Sequence, residues 1–220
     1  MIEIIFEDEA LLVINKPSGL LSIADGYDRS LPHIQTLLEP EFGKLWMVHR
    51  LDKDTSGILI LARSAKAHKY LNDQFSNREV QKQYFCLVFG NFPSTLIINS
   101  ALKINIGHQH RTVIDTSTGK PASTDFSLLD HFSATSSLIA MPHTGYTHQI
   151  RAHLLFAGFP ILCDPVYYSK QSQDYSLNLP LKRVALHAQK IIIRHPISQK
   201  LLTFSAEIPQ DLADTIEAFK

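Results

Sequence analysis

Short runs of apolar and β-branched residues, separated by polar turns, dominate the pattern of this chain. Residues 2–6 and 11–16 are two such runs around an acidic turn, and they predict a β-hairpin that ends at Pro17-Ser18-Gly19. Residues 58–62 and 81–89 are continuous apolar runs, which is typical of strands covered on both faces. The pattern therefore predicts a chain in which strands outnumber helices.

Helical spacing is found in fewer places. Ser64 is a suitable N-cap, and Ala67, Leu71 and Phe75 follow it at intervals that place them on one helical face. Further helices are predicted over residues 31–38, over residues 147–157 with Gly158 at the C-terminal end, and from about Asp211 onward.

The remaining segments also favour strands. Residues 96–142 alternate short β-like runs with turns, and residues 188–194 and 201–208 predict a C-terminal hairpin in which strict alternation buries one face. Few strands are joined by βαβ crossovers. We therefore predict an α+β fold with a central, mixed, mainly antiparallel sheet and flanking helices.

Length and composition limit the class of protein. With 220 residues and 45% hydrophobic content, the chain can bury one sizeable core, and we expect a single domain over residues 1–220 built around two lobes of one sheet. No apolar run is long enough to span a membrane, and MIEIIFEDEA does not resemble a signal peptide. Cys86 and Cys163 are widely separated, which favours buried thiols in a reducing compartment. We predict a cytoplasmic protein.

Charge is unevenly distributed along a chain whose net charge is zero. Residues 1–43 contain two Lys/Arg against eight Asp/Glu, whereas residues 44–111 contain ten against four. A basic segment can bind phosphates even in a neutral protein, although the same residues could simply cover a folded surface. Charge alone leaves both interpretations open.

Candidate chemistry is concentrated in a loop over residues 49–57, His-Arg-Leu-Asp-Lys-Asp-Thr-Ser-Gly, directly before a buried strand. A carboxylate at such a junction can be held rigidly, close to cations, and still reach a substrate. A structural salt-bridge cluster at the strand entrance is an equally good interpretation. The densest histidine groups are His108-Gln109-His110 and the series His143, His148 and His153. The series is spaced by five, which does not align side chains on one helical face, and no cysteine or acidic cluster joins either group, so no metal is predicted. His108, His110 and Arg111 are instead expected to form a polar loop that could touch RNA.

The 49–57 loop resembles the HRLDxxTSG signature of the RluA family of pseudouridine synthases, and it matches at every specified position. Other motifs of the family follow in order over residues 8–208. They are the strand pair and turn ending in Asn15-Lys16-Pro17-Ser18-Gly19, the K-x-Y strand at Lys82-Gln83-Tyr84, the helix His148-Gln149-Ile150-Arg151-Ala152-His153, and the hairpin with Leu186-His187-Ala188 and His195-Pro196.

The resemblance implies roles for particular residues. Asp52 corresponds to the nucleophilic aspartate and Arg151 to the arginine that pairs with it. Tyr84 corresponds to the tyrosine that lies against the target base and is a candidate for the proton transfer from C5. Arg50 corresponds to the arginine that enters the RNA stack when the uridine flips out. The other expected RNA contacts are His49, Lys16, Lys53 and His148.

One position departs from the family pattern. The family has arginine where this chain has Tyr146, in Thr144-Gly145-Tyr146-Thr147-His148. A guanidinium that could bind phosphate is thereby replaced by an aromatic ring that could stack on a base. RNA contacts at this point are therefore in question.

The resemblance implies a pseudouridine synthase that isomerises specific uridines in structured ribosomal or transfer RNA at an RNA-binding cleft. The aspartate could add to the base or assist removal of a sugar proton, and the sequence leaves both routes open. The reaction consumes nothing, so no cofactor is expected, and we expect a monomer without an S4 domain. The alternative is a non-catalytic RNA-binding or RNA-folding module on the same fold.

Overall fold

The computed structural model describes residues 2–107 and 111–219. The strands in these residues are β1 (Glu3–Glu7), β2 (Leu11–Lys16), β3 (Trp46–Met47), β4 (Ser56–Ala62), β5 (Gln81–Phe89), β6 (Thr95–Asn99), β7 (Leu102–Ile106), β8 (Arg111–Ile114), β9 (Ser123–His131), β10 (Thr135–Pro142), β11 (Leu186–Arg194) and β12 (Leu201–Ser205). The helices are α1 (Ile34–Phe42), α2 (Ala65–Ser76), α3 (Gln149–Phe156), α4 (Lys170–Ser176) and α5 (Gln210–Glu217).

The chain divides into two compact units. The first unit comprises Met1–Lys82 and Ala188–Ala206, and the second comprises Gln83–His187 and Glu207–Lys220. The boundaries fall inside β5 and β11, so each of these strands contributes residues to both units.

The first unit is built on antiparallel pairs. Strand β2 lies between β1 and β4, with Val13 opposite Ile60, while β3 pairs with the end of β4. Strands β11 and β12 form the C-terminal hairpin predicted from the sequence. All seven residues of β4 are buried, as expected for a continuous apolar run.

Helix α2 packs onto this unit by the face that its sequence predicted. The Ser64 hydroxyl caps the helix by accepting the Ala67 N–H at 3.2 Å. Ala67 and Leu71 are buried in the core of the unit. That core is apolar and consists of Ala10, Leu11, Val13, Val48, Ile58, Ile60, Ala62, Ala67, Leu71, Val80, Ile191, Ile193, Phe204 and Ala206.

The second unit contains the antiparallel order β5-β10-β9-β6 and a separate β7–β8 hairpin. Main-chain bonds join Leu87, Leu162 and Ala185, so the loop after α3 is fixed beside β5. The core includes Phe85, Phe92, Phe126, Leu138, Leu154 and Leu212.

The predicted α+β class is confirmed, and the registers described within the units are antiparallel apart from an isolated parallel bridge between Leu21 and His33. Two details were wrong. The first helix begins at Ile34 instead of residue 31, because a capping box between His33 and Thr36 fixes its start. Helix α4 was not predicted; its amphipathic signal is weak, and it begins at a second capping box between Ser169 and Ser172.

The two cysteines differ in burial. Cys86 is buried, as predicted, whereas Cys163 is only half-buried, and both are free thiols. Burial raises the pKa of each thiol above its ordinary value.

Candidate active site

The predicted site residues are found in both units. The first unit holds Lys16, His49, Arg50, Asp52 and Lys53, and the second holds Tyr84, His148 and Arg151. The joint action of the two groups remains a prediction.

Asp52 lies half-buried in the 49–57 loop, between β3 and β4. Its carbonyl accepts the Thr55 N–H at 3.1 Å, which closes a turn immediately after the aspartate. The loop ends at Gly57, where φ is 114° and an added Cβ would lie 2.3 Å from the Ala188 carbonyl oxygen. Only glycine fits there, so the exit of the loop is fixed by contact with β11.

The main chain on both sides of Asp52 is held by the segment that follows β2. The Ser22 hydroxyl accepts the Leu51 N–H at 3.1 Å and donates to the Leu51 carbonyl at 2.8 Å. On the other side, the Gly19 N–H donates to the Lys53 carbonyl at 2.9 Å. The aspartate is therefore carried on a backbone that is anchored at both neighbouring residues.

Lys16 lies under this loop and is fully buried. Its ammonium donates to three main-chain carbonyls: those of Pro17 at 2.9 Å, Leu20 at 2.8 Å and Lys53 at 3.0 Å. Three bonds match the three donors of an ammonium group. The predicted RNA contact of Lys16 is therefore not supported, because the side chain is enclosed and binds the loop from inside.

His49 also faces inward. Its Nε2 accepts the Ile60 N–H at 3.0 Å, and its ring stacks on Phe75 with centroids 4.8 Å apart. Burial, with a smaller contribution from the Lys82 charge, lowers the pKa of His49 to about 3. These contacts give His49 a structural role, and an RNA contact through Nε2 would require the bond to Ile60 to break.

Arg50 and Lys53, in contrast, are exposed. They flank Leu51 and Asp52 on a loop with a fixed backbone, so two cations are presented beside the candidate nucleophile. This placement agrees with their predicted role as RNA contacts, which remains a prediction.

In the second unit, Arg151 lies on α3 with its side chain buried. Its Nε and Nη2 atoms donate to the two oxygens of Asp164 at 2.7 and 2.8 Å. The Asp164 Oδ1 also accepts the N–H groups of Val166 and Tyr167, each at 2.9 Å. A guanidinium has five donors, so this bidentate pair is compatible with a second carboxylate partner for Arg151.

Tyr167 connects Arg151 with His148. The Arg151 guanidinium lies over the tyrosine ring, 4.9 Å from its centroid. The tyrosine hydroxyl is 3.1 Å from Nδ1 of His148, the residue that precedes α3 with a φ of 55°. The same hydroxyl accepts the Thr112 N–H at 2.6 Å. We refer to Thr112, His148, Arg151, Asp164 and Tyr167 as the arginine network.

Tyr84 lies on β5 opposite Ala140 of β10, and it is half-buried at the margin of the apolar core. A tyrosine in an apolar strand is more often a core residue than a catalyst. Tyr84 has features of both kinds of residue: its ring packs against the core, and part of its side chain stays accessible. Its catalytic role remains a prediction.

Tyr146, the departure from the family pattern, is half-buried and packs against the apolar cluster that contains Leu102, Ala152 and Tyr167. Its N–H donates to the Gln149 side-chain oxygen at 3.2 Å. The ring thus contributes to the packing around the arginine network, a role that arginine would not perform in the same way.

Arg111 was expected to belong to a polar, RNA-contacting loop with His108 and His110. The two histidines lie outside the described residues. Arg111 begins β8, and its guanidinium lies 5.4 Å from the centroid of the Tyr167 ring. It therefore contacts the arginine network from the β8 side.

Sequence reasoning missed Asp164 and Tyr167. The available signal was weak: one acidic residue in the otherwise apolar segment Ile161-Leu162-Cys163-Asp164-Pro165, followed by two tyrosines. A buried acid requires a partner, and that partner is Arg151, thirteen residues earlier. Nothing in local periodicity identifies such a pair.

Within residues 2–107 and 111–219, no three His, Cys, Asp or Glu side chains converge as metal ligands would. Nor does any helix in these ranges combine the length and apolar character needed to cross a membrane. The expected absence of a metal and a cofactor stays a prediction.

Comparison with known proteins identifies the class to which this fold and loop belong. The family model described as RNA pseudouridylate synthase matches residues 10–156. Ribosomal large subunit pseudouridine synthase C of Pasteurella multocida is 37% identical over 222 residues, covering 99% of this chain and 68% of the relative. Ribosomal large subunit pseudouridine synthase D of Zymomonas mobilis is 35% identical over 225 residues, covering 96% and 70%.

Solved structures show the same fold. Human RNA pseudouridylate synthase domain containing 4 matches with a TM-score of 0.79 at 22% identity, covering 99% of this chain and 92% of the other. Human RNA pseudouridylate synthase domain containing 1 matches with a TM-score of 0.77 at 25% identity, covering 100% and 94%. The chain belongs to the RNA pseudouridylate synthase family, and the enzyme class predicted from its motifs is confirmed.

Proposed function

We propose that this enzyme converts specific uridines of large-subunit ribosomal RNA into pseudouridine, with Asp52 as the nucleophile. The observation that carries the assignment of Asp52 is its placement on a loop anchored at both neighbouring residues, within a complete family signature. The choice of RNA rests on the relatives that align with almost the whole chain, which are ribosomal large subunit pseudouridine synthases.

The chemistry needs few groups. The N1–C1′ bond of the target uridine breaks and a C5–C1′ bond forms, while C5 loses a proton and N1 gains one. Nothing is oxidised or consumed, so a carboxylate, a proton acceptor for C5 and a means of holding the flipped base are sufficient. In this proposal Asp52 supplies the carboxylate and Arg151 pairs with it. Tyr84 lies against the base and is the candidate for the proton transfer from C5, and Arg50, Lys53 and His148 contact RNA.

Loss of the C5 hydrogen provides the test. RNA transcribed with tritium at C5 of uridine releases tritium into water only where isomerisation occurs. Fragments of large-subunit ribosomal RNA should release one tritium per modified site with the wild-type enzyme and none with Asp52→Asn. Asp54→Asn is the matched control, because it changes another carboxylate of the same loop at a position that the signature does not specify.

The same assay separates the proposal from its rival. A non-catalytic RNA-binding module would bind the fragments without releasing tritium, and Asp52→Asn would behave like the wild type. Release from transfer RNA transcripts but not from ribosomal fragments would keep Asp52 as the nucleophile and replace the proposed substrate. Mapping pseudouridines by mass spectrometry in cells with and without the gene then identifies the target uridine.

We infer further that the enzyme acts as a monomer in the cytoplasm, in agreement with a substrate that assembles there. Sedimentation of the purified protein with and without RNA tests the monomer. A stable dimer at micromolar concentration would contradict it.

A further inference from the structure

Tyr167 is the largest side chain among the fully buried residues of the described chain, with 1% of its surface exposed. A buried tyrosine usually fills space with its ring and finds one partner for its hydroxyl. Here both parts of the side chain contact residues that the proposed function uses, Arg151 and His148.

The ring contributes to the orientation of Arg151. Asp164 holds one edge of the guanidinium through bonds of 2.7 and 2.8 Å, which fixes two of its nitrogens. The Tyr167 ring lies against the guanidinium with 4.9 Å between Cζ and the ring centroid. An edge contact and a face contact together define the position of the group and the direction of its remaining donors.

The Tyr167 hydroxyl contributes to the tautomeric state of the His148 imidazole. The Thr112 N–H can only donate, so the Tyr167 oxygen is the acceptor of that 2.6 Å bond. Burial raises the pKa of Tyr167, so the hydroxyl keeps its proton near neutral pH. The His148 Nδ1 lies 3.1 Å from the hydroxyl oxygen and can accept this proton only in the tautomer that leaves Nδ1 unprotonated. With Nδ1 as an acceptor, the neutral imidazole carries its proton on Nε2.

We propose that Tyr167 is a positioning residue that orients two active-site side chains, Arg151 through the face of its ring and His148 through its hydroxyl proton. The His148 Nε2–H is thereby prepared as a donor to an oxygen of the RNA. The inference rests on the proposed function, which gives Arg151 and His148 their roles. It adds that the two parts of Tyr167 have different effects: the ring affects kcat, and the hydroxyl affects the binding of RNA.

The hydroxyl is tested with Tyr167→Phe. Because the ring remains, kcat should stay within about threefold of the wild type, while KM for the RNA rises about tenfold. Tyr70→Phe is the control, since it removes another tyrosine hydroxyl bond, 2.6 Å to Gln199, in the first unit. A simultaneous fall in kcat and no change in KM would overturn this half of the proposal. Assays are run well below the melting temperature of each variant, which is measured separately.

The ring is tested with phenylalanines of increasing fluorination at position 167. Fluorine withdraws charge from the ring face and changes its shape little, so packing is kept while attraction to the guanidinium is lost. We expect kcat to fall by about tenfold across the series, with Tyr167→Phe as its starting point. A flat series would mean that the ring only fills space and would overturn its positioning role.

A spectroscopic measurement separates this inference from the proposed function. Long-range ¹H–¹⁵N spectra of the protein, assigned with His148→Gln, report which ring nitrogen of His148 carries the proton. We expect the Nε2–H form in the wild type and a mixture in Tyr167→Phe. An Nδ1–H form in the wild type would overturn the role of the hydroxyl. If the wild-type enzyme released no tritium, the proposed function would be overturned, but the spectrum would still report the tautomer of His148.

Discussion

The 49–57 loop and the arginine network hold their candidate active-site side chains by different means. Around Asp52 the loop is fixed through main-chain groups, which bind the Lys16 ammonium and the hydroxyls of Ser18 and Ser22. Around Arg151 the contacts are mostly between side chains, from Asp164, Tyr167 and His148. Because the loop is held mainly by its backbone, its side chains can differ in function without changing the loop conformation. In the arginine network, each contact depends on the identity of the side chain that makes it.

The two regions also differ in how far their charged side chains are exposed. The loop presents Arg50 and Lys53 to solvent, where they can attract phosphates over a distance. The network encloses its cation, since the Arg151 side chain is 7% exposed and the Asp164 side chain is 0% exposed. The loop is thus suited to attracting RNA, and the network to fixing geometry.

The largest loss of stability should come from a side chain added at Gly57, where the 49–57 loop ends. Gly57→Ala would place a Cβ 2.3 Å from the Ala188 carbonyl oxygen at a φ of 114°, so the backbone of β4 must shift. We expect a loss of at least about 4 kcal/mol in the free energy of unfolding, measured by urea titration. Gly26→Ala is the control, because nothing lies within 4 Å of its added Cβ. Equal stability of the two variants would show that the loop exit is not rigid.

Removing the carboxylate of the network should be nearly as damaging. Asp164→Ala leaves the buried Arg151 charge without its bidentate partner, and we expect a loss of about 3–5 kcal/mol in unfolding free energy. Asp211→Ala is a matched comparison, since Arg183 and Asp211 form a similar bidentate pair in which the aspartate side chain is 47% exposed. That variant should lose less than about 1 kcal/mol. A loss at Asp164 as small as the one at Asp211 would contradict the importance of burial.

His49 makes the first unit sensitive to acid. Its folded pKa of about 3 lies below the ordinary value of 6.5, so the unfolded chain binds a proton that the folded chain excludes. Stability is therefore lost as the pH falls from about 6.5 towards 3, by up to about 1.4 kcal/mol per pH unit. His49→Gln can still accept the Ile60 N–H but does not titrate. The difference in unfolding free energy between the two proteins, measured from pH 7 to pH 4, should change with this slope; a constant difference would count against a buried, neutral imidazole.

The smallest effects, on the single-turnover rate and on RNA binding, should come from substituting exposed cations. Arg50→Lys keeps the charge but loses the plane that can stack in the gap left by a flipped base, so we expect the single-turnover rate at saturating enzyme to fall about tenfold with nearly normal binding. Lys66→Gln and Lys69→Gln, which change exposed lysines of α2, should instead weaken binding and reduce its salt dependence by about one unit of slope each. If Arg50→Lys shows a normal rate and only weaker binding, Arg50 is a phosphate contact.

Local signals in the sequence determined much of this protein. Continuous apolar runs gave β4 and β5, the alternation near the C-terminus gave the β11–β12 hairpin, and Ser64 with its apolar face gave α2. These features depend on neighbours within a few residues, because side-chain periodicity reports which face of an element is buried. The 49–57 signature is also contiguous, so consecutive residues are enough to identify the candidate nucleophile.

The tertiary structure decided what those residues touch. Lys16 and His49 were both expected to contact RNA. Lys16 is enclosed under the loop, and His49 accepts the Ile60 N–H of β4. Asp164 and Tyr167 gained their importance from partners as far away in the chain as Thr112. Burial and pairing of polar groups depend on which distant segments the fold brings together, and a buried charge or hydroxyl can be interpreted only when its partner is known.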